Sequence, residues 1–204
     1  MEGTGGGAPV DPPPRAAGGL GGPASPRAWG TTYAALDLGT NNCRLLVARP
    51  AREGFRIVDA FSRIVRLGEG LSQTGRLSRA AIERTLDALD ICRDKMEARG
   101  VSRCRLIATE ACRSAANGEE FVARARREIG LDLEIVDRET EAFLAAAGCS
   151  SLADPDADGI VLFDIGGGSS EIVWLAGAGT GPAEDLRARV RHWASLKLGV
   201  VTLA

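Results

Sequence analysis

From residue 31 onward, the hydrophobic positions fall into short runs that predict a β-β-β-α-β-α-β-α order of elements. Apolar residues at the helical period predict a helix that Ser78, a typical N-cap residue, begins and Gly100 ends, with Arg99 as its last residue. The other predicted elements are strands at 32–38, 42–48, 55–65, 105–108 and 131–136, a loop at 109–114, and helices at 119–129 and 139–147.

The opening pattern then returns after a polar connector at 149–158. Residues 37–40 (DLGT) and 164–167 (DIGG) each end a strand and open a hairpin turn. This imperfect internal repeat predicts two related α/β units, a first domain at 31–148 and the start of a second at 159–204. The strands predicted in the second unit are 159–163, 171–175 and roughly 187–195.

The two ends of the chain have their own expectations. Residues 1–30 are rich in Gly, Pro, Ala and Ser and are predicted to be a disordered leader. The second unit is expected to stop after its third strand and leave apolar faces uncovered, so we expect a fragment or a chain of modest stability alone. Arg187, Arg189 and Arg191 alternate along the predicted last strand, which indicates a polyphosphate track or, alternatively, a solvated face.

Composition excludes several classes of protein. The formal net charge of −2 provides no overall basic field for nucleic acid, and no apolar run approaches a membrane span. All basic residues except Lys95 and Lys197 are arginines, which suits phosphate binding or reflects a GC-rich genome. The five cysteines form no C-x-x-C pair and His192 is the only histidine, so a zinc site is not expected. We therefore expect the cysteines to be reduced thiols and the protein to be cytoplasmic.

The first hairpin turn, DLGTNNCR at 37–44, combines a glycine with side-chain donors and an arginine. Successive backbone N–H groups in such a turn form a concavity that binds anions. The alternative is an ordinary hairpin turn.

The second turn, DIGGGSSE at 164–171, has more glycines than a hairpin needs. The excess favours bare backbone lying against phosphate, and the flanking Asp164 and Glu171 suit a hard cation such as Mg²⁺. The alternative is a flexible glycine turn. A G-x-x-x-x-G-K-[ST] sequence is absent, so the chain is not a P-loop protein.

Two further charged residues are candidates for chemistry. Arg113 follows the fourth strand, where a parallel sheet places its ligands, and can brace a phosphate or form an ion pair with Glu110 or Glu119. Glu139 and Glu141 open a helix, where acids usually satisfy the helix dipole and where we expect a lowered pKa for Glu141. A glutamate there can also orient a water for attack.

Five ordered segments together resemble the exopolyphosphatase/guanosine pentaphosphatase (Ppx/GppA) family of the actin-like ATPase superfamily. They are DLGTNNCRLL, ATEACRSAAN, IVDRETEAFLAAAG, FDIGGGSSEIV and SLKLGVVTL, and the similarity runs from about residue 33 to the C-terminus. The resemblance implies an actin-like (ribonuclease H-like) α/β fold. It also implies hydrolysis of terminal phosphoanhydride bonds in polyphosphate or guanosine pentaphosphate, dependence on Mg²⁺ or another divalent cation, and a homodimer of the full-length protein.

The resemblance also implies roles for individual residues. Glu141 matches the catalytic base, Arg113 a phosphate-facing arginine, and Asp164 and Glu171 the acids around the metal. The residues implied in phosphate binding are Asp37, Gly39, Thr40, Asn41, Asn42, Arg44, Gly166, Gly167, Gly168 and Ser169. This sequence departs from the family pattern at Asn42, where the family usually has Ser, and at Arg138, where it commonly has Gly.

Two other classes of function stay open from the sequence. One is a non-catalytic module that binds phosphate or a nucleotide. The other is an ATP-dependent kinase of the same superfold.

Overall fold

The computed structural model describes residues 30–149, 152–154, 156–177 and 186–202. The strands are β1 (Tyr33–Leu38), β2 (Asn42–Pro50), β3 (Phe55–Ile64), β4 (Arg103–Ala108), β5 (Glu134–Ile135), β6 (Gly159–Ile165), β7 (Ser170–Ala176) and β8 (Val190–Leu196). The helices are α1 (Leu71–Thr74), α2 (Arg79–Ala98), α3 (Glu110–Ser114), α4 (Gly118–Ile129), α5 (Arg138–Cys149) and α6 (Leu186–Arg189). All of the predicted leader except Gly30, and part of the predicted connector, lie outside the described residues.

The first sheet has the strand order β3-β2-β1-β4-β5. Strand β1 runs antiparallel to β2 and parallel to β4. Alternate residues of β1, among them Leu36 and Leu38, are buried in a core that helices α2 and α4 cover. The predicted long helix is confirmed, since Ser78 Oγ accepts from the Ala81 amide at 3.2 Å and Gly100 follows the helix with a φ of 60°.

The second sheet is antiparallel, in the order β6-β7-β8. Helix α5 leaves the first sheet and covers one face of the second, where Ala142 and Ala146 pack with Val173 and Leu175. Because α5 follows the first sheet and packs on the second, Glu141 in its first turn lies between residues of both sheets. The described helices include none that is both long and apolar enough to cross a bilayer.

Three local predictions were wrong. The polar segment 109–114, predicted as a loop, contains α3, and the strand predicted at 131–136 is reduced to Glu134–Ile135 because only these residues pair with β4. The last strand begins at Val190 and not at 187, because residues 186–189 form a helical turn.

That helical turn removes the predicted arginine stripe, since a helix does not alternate its side chains as a strand does. Arg189 instead donates to the Ala176 carbonyl at 3.2 Å, and Arg191 lies on β8. The side chain of Arg187 is outside the described part of the chain.

Candidate active site

A cleft of about 190 Å³ lies between the two sheets, at the ends of β1 and β6. Both glycine turns line it, together with acidic residues from five different elements. The predicted residues that line it are Asp37, Gly39, Thr40, Asn41, Asn42, Arg44, Glu141, Asp164, Gly166, Gly167, Gly168, Ser169 and Glu171. Thr109, Glu110, Ile165 and Val200 complete the lining.

The first turn connects β1 and β2 and is held by backbone hydrogen bonds. The Gly39 amide donates to the Asn42 carbonyl at 2.9 Å, which closes the hairpin. The loop after β3 supports it, since the amides of Val65 and Arg66 both donate to the Asn41 carbonyl, at 2.8 and 3.0 Å. These hydrogen bonds therefore fix the backbone of the first turn where it lines the cleft.

The second turn connects β6 and β7 and is braced by a third segment. The Gly166 amide donates to the Ser169 carbonyl at 2.9 Å. The amides of Val200 and Val201 donate to the carbonyls of Gly166 and Gly167 at 3.0 and 2.9 Å. Sequence reasoning gave residues 199–202 no role, although the SLKLGVVTL segment carried part of the family resemblance.

The two glycine turns pack directly against each other. A Cβ added at Gly168 would lie 2.5 Å from Thr40 Oγ1, and one added at Gly167 would lie 3.1 Å from the Cβ of Asn41. The contact at Gly168 would force the Thr40 side chain or the turn to move, and the contact at Gly167 is tighter than most real Cβ contacts, so the packing itself favours glycine at both positions. The glycine excess, predicted from phosphate binding alone, therefore has a second physical cause.

Carboxylates converge on the cleft from the first and second sheets. Asp164 and Glu171 stand directly opposite each other on β6 and β7, and Asp37 pairs in register with Arg44. Burial raises the pKa of Asp37, and the negative charge of Asp164 adds to the rise while Arg44 opposes it. Glu171 is only 2% exposed and accepts a hydrogen bond from Ser195 Oγ at 2.8 Å.

Two members of this acidic set, Asp164 and Glu171, carry the oxygen donors that magnesium prefers. Among the described residues, no group of three or more His, Cys, Asp or Glu side chains is arranged as a protein-only metal cage. Magnesium seldom uses such a cage, because it keeps water ligands and binds through one or two carboxylates and substrate phosphates. Asp164 and Glu171, as hard oxygen donors beside a phosphate-sized cleft, fit that mode of binding.

Glu141 lies in the first turn of α5, and its carboxylate is paired with Arg113. Arg113 Nη2 donates to Glu141 Oε2 at 2.8 Å, and the other oxygen has no hydrogen-bond partner among the described residues. Burial raises the pKa of Glu141, Arg113 opposes the rise, and the charges of Glu171 and Asp37 reinforce it. The predicted lowering of this pKa was wrong, because burial outweighs the helix N-terminus.

Arg113 does not belong to the lining of the cleft, contrary to the expectation that it faces phosphate. Its guanidinium donates to Glu110 Oε2 and Glu141 Oε2, both at 2.8 Å, and to the Val136 carbonyl at 2.5 Å. The alternative ion pair with Glu110 is therefore present, but it is partly buried and shared with Glu141. This arrangement lets Arg113 orient Glu141.

Glu110 is a site residue that sequence reasoning missed. It is buried, lines the cleft, and accepts from Arg113 and from Ser114 Oγ. The signal was the ATEACR segment, but a predicted loop at 109–114 gave no reason to bury its glutamate. In α3 the same residue lies under the second turn, with its Cγ 3.3 Å from a Cβ added at Gly168.

Comparison with known proteins gives one family. The model of the Ppx/GppA phosphatase family matches residues 46–204. The chain is 37% identical over 141 residues to a guanosine-5'-triphosphate,3'-diphosphate pyrophosphatase of Aeromonas hydrophila. The matched residues make up 69% of this chain and 28% of that protein. An equally similar relative, of the same description, comes from Aeromonas salmonicida.

Solved structures give the same result for the fold. The Ppx/GppA family member of Aquifex aeolicus superposes with a TM-score of 0.68 and 32% identity, covering 85% of this chain and 53% of that one. An exopolyphosphatase of Cytophaga hutchinsonii superposes with a TM-score of 0.74 and 26% identity, covering 85% and 52%. The predicted actin-like α/β fold class is confirmed. The chain spans about half the length of these structures and about a quarter of the curated relatives.

Proposed function

The chain belongs to the Ppx/GppA phosphatase family, and on that premise we propose that it hydrolyses terminal phosphoanhydride bonds of inorganic polyphosphate or guanosine pentaphosphate. One observation carries the proposal: both glycine turns and the carboxylate of Glu141 line a single cleft. Phosphoryl transfer depends on positioning and charge stabilisation more than on covalent catalysis, and this arrangement supplies both.

The two turns hold the phosphate chain. Backbone amides of the turns other than those of Gly39 and Gly166, and the side chains of Thr40, Asn41 and Ser169, provide donors along the lining of the cleft. Arg44, on the same lining, adds a positive charge that offsets phosphate charge. The terminal phosphate is thereby fixed with its phosphorus open to attack.

Glu141 is the general base of the reaction. Arg113 fixes its Oε2, so Oε1 is the oxygen that accepts a proton from the attacking water. The new bond joins the water oxygen to the terminal phosphorus, and the bond from that phosphorus to the bridging oxygen breaks. The raised pKa makes Glu141 a stronger base than an exposed glutamate.

Asp164 and Glu171 are the residues that would hold Mg²⁺ or another divalent cation. When bound, such an ion supplies charge neutralisation for the phosphate oxygens and polarises the bond that breaks. The homodimer and the cytoplasmic location expected from the sequence stay predictions.

A phosphate-release assay tests the proposal. The purified chain is incubated with long-chain polyphosphate or guanosine pentaphosphate, with Mg²⁺ or with EDTA, and orthophosphate is measured. The proposal expects release from at least one substrate with Mg²⁺ and a loss of release with EDTA.

Two other outcomes identify the rival functions. Binding of tripolyphosphate without release favours the non-catalytic module. Transfer of phosphate from ATP to an acceptor, without hydrolysis of polyphosphate, favours the kinase.

A further inference from the structure

We infer that Arg138 is a positioning residue for Glu141, acting through Glu110 and Arg113. The inference rests on the proposed function, in which Glu141 is the base. Arg138 is the first residue of α5, and its Nη2 approaches both oxygens of Glu110, at 3.2 and 3.3 Å.

The four side chains form a row of alternating charge. Arg138 contacts Glu110, Glu110 contacts Arg113, and Arg113 contacts Glu141. Only the last member of the row, Glu141, has a carboxylate oxygen left without a partner among the described residues. The row therefore runs from the start of α5, through α3, to the carboxylate that faces the reaction.

Arg138 balances the charge of Glu110. The Glu110 side chain is only 8% exposed, and a buried carboxylate is stable only when it is paired. With Arg138 removed, Arg113 is the one arginine left, among the residues that the structure describes, to pair with both Glu110 and Glu141. Its guanidinium then shifts toward Glu110, and Glu141 loses its fixed orientation.

The charge of Arg138 matters more than its forked shape. Its Nε is buried and has no hydrogen-bond partner among the described residues, so the guanidinium serves Glu110 through Nη2 alone. A buried donor without a partner is unfavourable, and lysine offers the charge without that donor. We therefore expect Arg138→Lys to act like the native residue.

Arg138 does not line the cleft, so it orients the base without touching the substrate. Removal of the Arg138 side chain is therefore expected to lower kcat and to leave KM unchanged. A direct phosphate contact would give the opposite pattern.

The test compares Arg138→Gln and Arg138→Lys with Arg124→Gln. Arg124 is a matched control, because it pairs with Glu83 and Glu128 away from the cleft and its side chain is 30% exposed against 32% for Arg138. Arg138→Gln is expected to lower kcat by roughly 3- to 10-fold with KM changed by less than about twofold, because Glu141 is still present and is only less well oriented. Arg138→Lys and Arg124→Gln are expected to keep native kcat.

The NMR signal of the Arg113 Nε–Hε group gives a second measurement that needs no activity. We expect it to shift in Arg138→Gln and to stay in place in Arg124→Gln. An unmoved Arg113 signal in Arg138→Gln overturns the inference, as does a rise in KM or an Arg138→Lys variant as impaired as Arg138→Gln. If the native chain releases no phosphate, the proposed function fails, and the Arg113 signal alone still decides whether Arg138 positions this row.

Discussion

Arg113 Nη2 lies 2.8 Å from Glu141 Oε2, behind the carboxylate and away from the cleft. The pair joins α3, which follows the fourth strand of the first sheet, to α5, which covers the second sheet. An arginine expected to hold phosphate instead holds a glutamate. Arg113 occupies Oε2, so Oε1 is the carboxylate oxygen of Glu141 that is left for the reaction.

The raised pKa of Glu141 predicts the pH dependence of activity. A base must be deprotonated, so kcat/KM is expected to fall on acidification with an apparent pKa above 4.5, the ordinary value for glutamate. Steady-state rates between pH 4 and pH 8 measure this limb. A limb at or below the ordinary value would contradict the account.

The same shift has a consequence for stability. Because the folded pKa is raised, the folded state prefers the protonated carboxyl, and that stabilisation is lost as pH rises through the folded pKa. Glu141→Gln is therefore expected to unfold at the same urea concentration as the native chain at neutral pH, or at a higher one. Urea unfolding followed by circular dichroism checks this, and a clear loss of stability would show that the Arg113 pair outweighs burial.

Contact between the glycine turns predicts a position-specific effect of alanine. Gly168→Ala places a Cβ against Thr40 Oγ1, so the Thr40 side chain or the turns must shift, with a cost of about 1–3 kcal/mol from overpacking. Gly148→Ala is the control, since nothing lies near its Cβ position and alanine favours a helix by up to about 1 kcal/mol. Chemical unfolding that finds the two variants equally stable would disprove the turn contact.

The open face of the second sheet predicts self-association. Val161, Phe163 and Ile165 project from the same side of β6 and are more than half exposed. Phe163→Lys is expected to shift sedimentation toward monomer, because it places a charge in the middle of this face. Phe55→Lys, at a similarly exposed position on β3, is the control and is expected to leave association unchanged.

Burial predicts which thiols react. Cys104 and Cys149 are exposed, whereas Cys43, Cys92 and Cys112 are buried, and burial raises the pKa of Cys112 to about 12. Ellman's reagent is therefore expected to titrate the two exposed thiols in the native chain and all five in denaturant. Fast reaction of a third thiol in the native state would mean that the core opens readily.

The sequence predicted the turns well because a hairpin turn depends on local residues. Gly39 and Gly166 each close a turn onto a carbonyl three residues later, and a local pattern contains that information. The length of α2 was predictable for the same reason, because the residues that begin and end it, Ser78 and Gly100, lie next to the helix in the sequence.

The direction of Arg113 was not predictable, because its partners come from distant parts of the chain. The Val136 carbonyl and Glu141 are 23 and 28 residues away, and Glu110 is buried only because α3 forms. The prediction of a lowered pKa for Glu141 was wrong for a similar reason. The start of a helix can be read from the sequence, but the burial of the Glu141 side chain between two sheets cannot. The last strand was misjudged because one helical turn before Val190 changes which residues alternate.

The most direct test of the central claim compares Glu141→Gln with Glu139→Gln. The two glutamates are two residues apart in the same first helical turn, but only Glu141 lines the cleft, while Glu139 is exposed. In single-turnover phosphate release with Mg²⁺, Glu141→Gln is expected to slow release by about 10²- to 10⁴-fold while tripolyphosphate still binds, and Glu139→Gln to release at the native rate. Equal rates for the two variants would contradict the account.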